Sequence, residues 1–198
     1  MKEKILHLPL DRDAVKNLKV EEIVYISGKF YTMRDEAHIR ALEILQLGEK
    51  LPINIQNGAV FHCGPIVQQN GNSWSILAAG PTTSARMNSM EPEFIKRTGI
   101  SVIIGKGGMN NETLVAMEEY GCVYLAMTGG VAILAAKSIH VKNGEWLDLG
   151  TPEALWTFES EKFGPLVVAM DANRGSIYAK VDTIVAENAK RIREKFKN

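Results

Sequence analysis

Between Glu91 and Lys137 the chain alternates helical and extended patterns, with glycine marking most of the turns between them. Helical Glu91 to Thr98, apolar Ser101-Val-Ile-Ile, helical Glu112 to Tyr120, extended Cys122-Val-Tyr-Leu-Ala and helical Gly130 to Lys137 follow in order. That alternation predicts parallel strands, because a helical crossover returns the chain to the same end of a sheet. Three turn signals argue against a wholly parallel sheet. Asn70-Gly71 and Asn143-Gly144 carry the residue pair that supplies the positive φ of tight hairpins, and Asp171-Ala-Asn-Arg-Gly175 follows the apolar run Leu166 to Met170. The expected fold is therefore α/β, a single mixed-sheet domain over residues 1–198, a length that suits one hydrophobic core.

The rest of the chain fits that frame. Ile5 to Leu10 reads as extended, Asp11 to Leu18 as helical, and Glu22 to Ser27 as a strand halted by Gly28. Phe30 to Arg34 reads as a strand-to-helix loop, and Arg34 to Gly48 as a helix with one apolar face. Ala59-Val-Phe-His-Cys, Pro65-Ile-Val-Gln-Gln and Trp74-Ser-Ile-Leu read as hairpin strands, as do Ser138 to Val141 and Trp146 to Leu149 around Asn143-Gly144. Ala179 to Phe196 is amphipathic, with Val181, Ile184, Val185 and Ile192 on one side and Lys190, Arg191, Arg193, Lys195 and Lys197 solvated.

Charge and cysteine content exclude several functions. Lys+Arg 23 against Asp+Glu 23 gives a formal net charge of +0, without the basic excess that nucleic acid or an anionic membrane would require. The opening residues lack a secretory apolar core, and no run reaches the roughly 18 apolar residues of a membrane-spanning helix, so a cytoplasmic location is expected. Cys63 and Cys122 are the 2 cysteines. They are expected to be reduced and buried, and two thiolates do not complete a structural zinc site or a conventional iron–sulfur cluster.

Chemistry is expected where glycine-rich turns carry polar residues. In Gly80-Pro-Thr-Thr-Ser-Ala-Arg86-Met, Thr82, Thr83 and Ser84 offer hydroxyls, and Arg86 offers a planar fork suited to a carboxylate. In Ile103-Ile-Gly105-Lys106-Gly107-Gly108, Lys106 is held where backbone can approach a ligand closely. This turn lacks both the spacing and the Ser/Thr of a phosphate loop, and it falls short of a dinucleotide fingerprint. In Tyr31-Thr-Met-Arg34-Asp35-Glu36-Ala37-His38, Arg34 and His38 share one end of a helix, where backbone amides also attract anions. His7, His62 and His140 have no metal-site spacing, so no metal site is expected on this chain.

In order along the chain, Tyr31-Thr-x-Arg34-Asp35-x-Ala-His38, Gly58-Ala-Val-x-x-x-Cys-Gly64-Pro65, Gly80-Pro-Thr-Thr-Ser-x-Arg86-Met, Gly105-Lys-Gly-Gly-Met, Gly129-Gly130-x-Ala and Leu149-Gly-x-Pro-Glu-Ala-Leu-Trp156 resemble the β subunit of iron–sulfur hydro-lyases, the class I fumarases and L-tartrate dehydratases. The resemblance covers roughly residues 1 to 180 and implies a swivelling β/β/α domain. It also implies a heteromer in which a separate α subunit carries a [4Fe-4S] cluster. It assigns a small dicarboxylate as substrate, with Arg34, Arg86, Thr83 and Lys106 binding it and Thr82 and Lys106 catalytic, Thr83 being the hydroxyl next to the catalytic threonine. Reversible hydration of fumarate to (S)-malate is the first activity it suggests, with conversion of L(+)-tartrate to oxaloacetate as the alternative. A non-catalytic binding or assembly module would have no need of Thr82, Arg86 and Lys106 together.

Overall fold

The computed structural model describes residues 4–71 and 73–195; Phe196 and Lys197, expected at the end of the last helix, lie outside them. The elements are β1 (Lys4–His7), α1 (Arg12–Lys16), β2 (Ile23–Thr32), α2 (Asp35–Gln46), β3 (Ala59–Phe61), β4 (Ile66–Asn70), β5 (Ser73–Ala78), α3 (Glu91–Thr98), β6 (Val102–Gly105), α4 (Asn111–Tyr120), β7 (Val123–Ala126), α5 (Ala132–Ala136), β8 (His140–Glu145), β9 (Leu155–Met170) and α6 (Ile177–Lys195). The alternation from α3 to α5 is as the sequence predicts.

Strands β1, β2, β3, β6 and β7 lie side by side in parallel. The antiparallel strand β9 pairs with β7 on one side and returns to β2 on the other, from Ile23↔Val167 to Thr32↔Trp156. That second pairing closes β2, β3, β6, β7 and β9 into a five-stranded mixed barrel, with β1 and β8 attached outside the ring. Closure leaves no edge strand within the ring itself, so the sheet ends at β1 and β8.

Side chains alternate across the barrel wall. Ile26 and Phe30, Phe61, Ile104, Leu125 and Phe158, drawn from all five strands, meet in one buried cluster, which is the barrel interior. The intervening Val60, Ile103 and Tyr124 point outward into a second core with Ala37 and Ala41 of α2, Phe94 and Ile95 of α3, and Leu114 and Met117 of α4. Phe30 stacks on Phe163 with ring centroids 5.0 Å apart and meets Phe158 edge-on at 5.9 Å. Each of these fully buried rings contributes about 2 kcal/mol by transfer from water.

The structure corrects several expectations. Gly28 does not end a strand; β2 continues through it to Thr32, so only Met33 and Arg34 separate strand from helix. Gly28 instead takes φ 114° at an irregularity in the β2–β9 pairing, where a Cβ would stand 3.1 Å from the Leu8 carbonyl oxygen. β3 belongs to the parallel wall, whereas β4 and β5 do form the expected hairpin. Asn143-Gly144 is no hairpin turn but lies within β8, opposite Thr157 and Trp156, and Trp146 to Leu149 is not a strand. The Asp171 to Gly175 turn leads into a helix rather than a second strand, organised by Asp171 Oδ1, which accepts from the amides of Asn173 at 2.9 Å and Gly175 at 2.8 Å.

Gly144 is there for close approach rather than for turning: a Cβ would stand 2.5 Å from Cζ3 of the buried Trp156. Trp156 is fixed from elsewhere, its Nε1 donating to the Thr151 carbonyl at 2.8 Å and its ring edge-on to Trp74 at 4.9 Å. Gly144→Ala should therefore destabilise the fold by about 1–3 kcal/mol through overpacking, read as a lower urea midpoint with unchanged slope. An unchanged midpoint would mean that the indole can move aside.

Candidate functional site

In a parallel sheet, ligand-binding groups gather at the carboxyl ends of the strands, where the connections leave the backbone free to diverge. The carboxyl ends of β2, β3 and β6 carry Arg34, His62 and Lys106 respectively. Past β3 and β6 an extended segment inserts between the two strands. The Thr82 amide donates to the His62 carbonyl at 2.7 Å, the Lys106 amide to the Thr82 carbonyl at 3.3 Å, and the Ser84 amide to the Lys106 carbonyl at 3.0 Å. Thr82, Thr83 and Lys106 are thus held side by side by main-chain bonds, although about two dozen residues separate them in sequence.

Arg34 and Arg86 reach the same place through acidic partners. Asp35, the first residue of α2, meets Arg86, whose Nε donates to Oδ1 at 3.0 Å while Nη2 stands 2.9 Å from Oδ2. Arg34 Nε lies 3.1 Å from Glu153 Oε1, and Glu153 Oε2 accepts from the Glu36 amide at 3.3 Å, capping α2 from outside. A Cβ on Gly64 would collide with Nη1 of Arg34, so that glycine makes room for the guanidinium. Thr83, Arg86 and Lys106 are exposed, while Arg34 and Thr82 are half-buried. Among the described residues Lys106 has no ion pair, which leaves one unpartnered cation beside two partnered ones.

Of the residues singled out in the sequence, Arg34, Thr82, Thr83, Arg86 and Lys106 therefore come together, while Ser84 and His38 are buried beneath them. The sequence does not show that Asp35 pairs with Arg86 or that Glu153 pairs with Arg34, and His38, expected to share the anion-attracting end of α2 with Arg34, lies instead in a buried layer beneath. His38, His62 and Glu91 are completely buried, with Glu91 Oε2 3.2 Å from His62 Nε2 and 3.5 Å from His38 Nε2. Burial alone would raise the Glu91 carboxyl, but the two imidazoles more than offset this and hold it below the ordinary carboxylate range. Burial lowers His38, with Glu91 offsetting only part of the effect. A glutamate in the first turn of a helix reads as an ordinary partner of the helix dipole, so the sequence offers no sign of this role.

This trio is also the set of donors, all within 4.8 Å of one another, that could in principle hold a metal ion. It offers three ligand atoms where a structural zinc takes four. The cysteines do not fit an iron–sulfur cluster. Cys63 belongs to the barrel interior and Cys122 to the outer core, and burial pushes both thiols well up, away from the thiolate form that metal binding needs. A groove of about 570 Å³, lined by Leu45, Pro52, Ile55 and Arg97 among others, lies toward the opposite ends of the strands. Among the described residues no helix is long and apolar enough to cross a membrane.

The profile of the family described as Fumarase C-terminus matches residues 2–181. A protein of Methanocaldococcus jannaschii, provisionally named L(+)-tartrate dehydratase subunit beta, is 52% identical over 180 residues, 90% of this chain and 92% of its own. The L(+)-tartrate dehydratase subunit beta of Escherichia coli K12 is 36% identical over 186 residues, 93% of this chain and 91% of its own. A Geobacillus stearothermophilus protein, provisionally named fumarate hydratase class I, is 34% identical over 192 residues, which are 96% of this chain but 36% of that longer one.

Proposed function

This chain belongs to the Fumarase C-terminus family, and we propose on that footing that it is the β subunit of an L(+)-tartrate dehydratase, a hydro-lyase that works only with an α subunit. One observation carries this reading most: the site is half of one. Cations and hydroxyls converge at the ends of β2, β3 and β6, while neither cysteine is placed or ionised to hold a cluster. The relatives named as separate β subunits match this chain over nine tenths of both lengths, whereas the fumarase relative contains it as about a third.

Those figures also move the substrate. Fumarate hydration, the first activity suggested by the sequence motifs, gives way to tartrate dehydration, because the relatives named for tartrate are the more similar ones. The two reactions share a dicarboxylate frame, and tartrate adds one hydroxyl.

Dehydration of tartrate removes a C–H proton beside a carboxylate and a hydroxide from the adjacent carbon, giving an enol that becomes oxaloacetate. We assign to this chain the carboxylate and the proton. Lys106 and the two arginines face the carboxylate, where negative charge grows as the proton leaves. Arg34 and Arg86 keep their fixed geometry through Glu153 and Asp35. Thr82 takes the proton as the alkoxide, which the surrounding cations stabilise after its own hydroxyl proton has passed to solvent, and the substrate proton returns it to the neutral hydroxyl. To Thr83, exposed next to it, we assign the second hydroxyl of tartrate. The hydroxide leaves on the partner's side, where we place the [4Fe-4S] cluster, whose Lewis-acidic iron is the chemistry that group supplies. A swivelling β/β/α arrangement, in which this domain rocks against the α subunit, would open and close such a shared site.

The heteromer assayed with L(+)-tartrate, (S)-malate and fumarate tests the reading. A kcat/KM for tartrate at least about 100-fold above that for malate is expected, since a site built to hydrogen-bond a hydroxyl rejects the substrate that lacks it. The opposite preference would make the chain a fumarase subunit.

A further inference from the structure

The buried layer under the site is a connected set of polar side chains with no part in the chemistry above. At one end His38 Nδ1 lies 2.8 Å from the Arg34 carbonyl oxygen, which also accepts the His38 amide at 2.9 Å. A carbonyl only accepts, so neutral His38 carries its proton on Nδ1 and turns an unprotonated Nε2 toward Glu91, 3.5 Å away, where it packs against the carboxylate without donating to it. At the other end His62 Nδ1 lies 2.9 Å from Ser84 Oγ, which also accepts the Tyr124 hydroxyl at 3.0 Å. Because His62 Nε2 faces the Glu91 carboxylate 3.2 Å away, an acceptor only, that nitrogen carries the ring proton, and Nδ1 accepts the proton of Ser84, which itself accepts from Tyr124.

Two glycine observations show how tightly the set is fitted. A Cβ on Gly105 would fall on Ser84 Oγ and stand 3.0 Å from Tyr124 Oη, so the residue before Lys106 is glycine to let the network close beneath that lysine. Gly105 is not among the positive-φ glycines, which leaves close approach as the reason. Phe94 covers His38 at a ring distance of 4.6 Å and helps exclude water. A carboxylate this deeply buried is tolerated only because it is paired, and removing a partner would leave an uncompensated charge.

We propose that Glu91 is the positioning residue of the site, orienting His62 and through it Ser84 and the Thr82–Arg86 turn as one arm, and packing against His38, whose Nδ1–H fixes the Arg34 segment, as the other. The proposal rests on the functional reading above, and it deepens it by giving the two arms different kinetic consequences. The His38 arm holds a substrate-binding arginine. The Ser84 arm holds the threonine that takes the proton, and His62 supports Thr82 a second time through its carbonyl.

The test uses the reconstituted heteromer with tartrate and the chain itself in solution. His38→Gln keeps an amide near the Nε2 position but loses the bond to the Arg34 carbonyl; KM should rise about 10-fold with kcat within about 3-fold. Ser84→Ala leaves the main-chain bonds of the turn intact; kcat should fall about 100-fold, the cost of a small misplacement of a reacting group, with KM within about 3-fold. Identical losses in both variants, or no loss in either, would overturn the proposal. Imidazole nitrogen resonances of the wild-type chain supply a readout independent of turnover. His38 should show the Nδ1–H form, and Ser84→Ala should shift His62 Nδ1 while leaving His38 unmoved. Rapidly exchanging ring protons on both histidines would contradict the network, as would one equivalent of zinc retained by the wild type and lost in Glu91→Gln. If the wild-type heteromer turns over none of the three acids, the functional reading fails, while the resonances still decide whether the network exists.

Discussion

Replacing Thr82 by alanine in the assembled enzyme should lower kcat for tartrate by about 10²- to 10⁴-fold, the usual worth of a positioned general acid–base group. The backbone gives no reason to expect unfolding, because Thr82 is held by its amide to His62 and its carbonyl to Lys106, and neither bond uses the side chain. KM should change little, since the carboxylate cations remain. Thr83→Ala is the natural comparison: it removes the adjacent, exposed hydroxyl and should chiefly weaken discrimination of tartrate from malate. Near-normal turnover by Thr82→Ala would remove this residue from the chemistry and leave Thr83 as the hydroxyl to test next.

Lys106→Met should cost about 10²- to 10³-fold in kcat, comparable to loss of one preorganised donor at a developing anion. Of the three cations Lys106 alone has no ion pair among the described residues, so its charge is fully available to substrate. Arg34 and Arg86 already face carboxylates of this chain and must share themselves with the substrate. Lys106→Arg should recover only part of the loss, because a fork displaces the point charge and the turn is crowded: a Cβ on Gly108 would stand 2.9 Å from the Tyr178 ring. Wild-type kcat in Lys106→Met would place the developing charge elsewhere.

The parts of this structure that were legible in the sequence are those built from local contacts. Helix α3 and strand β7 are bounded nearly as their apolar spacing predicts, because glycines at 99 and 121 take positive φ and stop the preceding helices. Thr82, Arg86 and Lys106 stood out because polar groups on glycine-rich turns have little structural reason to be there. Barrel closure was hidden because it depends on β9, a strand of 16 residues whose middle reads Glu159-Ser-Glu161-Lys162 and so carries no apolar alternation. Asn143-Gly144 misled for a complementary reason: the pair that favours a tight turn also suits a strand pressed against an indole. The Glu91 network left no trace because its members come from α2, α3, β7 and two loops, and each looks ordinary within its own segment.

The central claim is that this chain carries the carboxylate-binding and proton-accepting half of a shared site. Purifying it apart from its α subunit and then mixing the two with L(+)-tartrate tests that claim most directly. The chain alone should be colourless and inactive, the α subunit alone should be brown and inactive, and oxaloacetate should form only in the mixture, with saturation at a fixed subunit ratio. Tartrate turnover by either subunit alone would contradict the account.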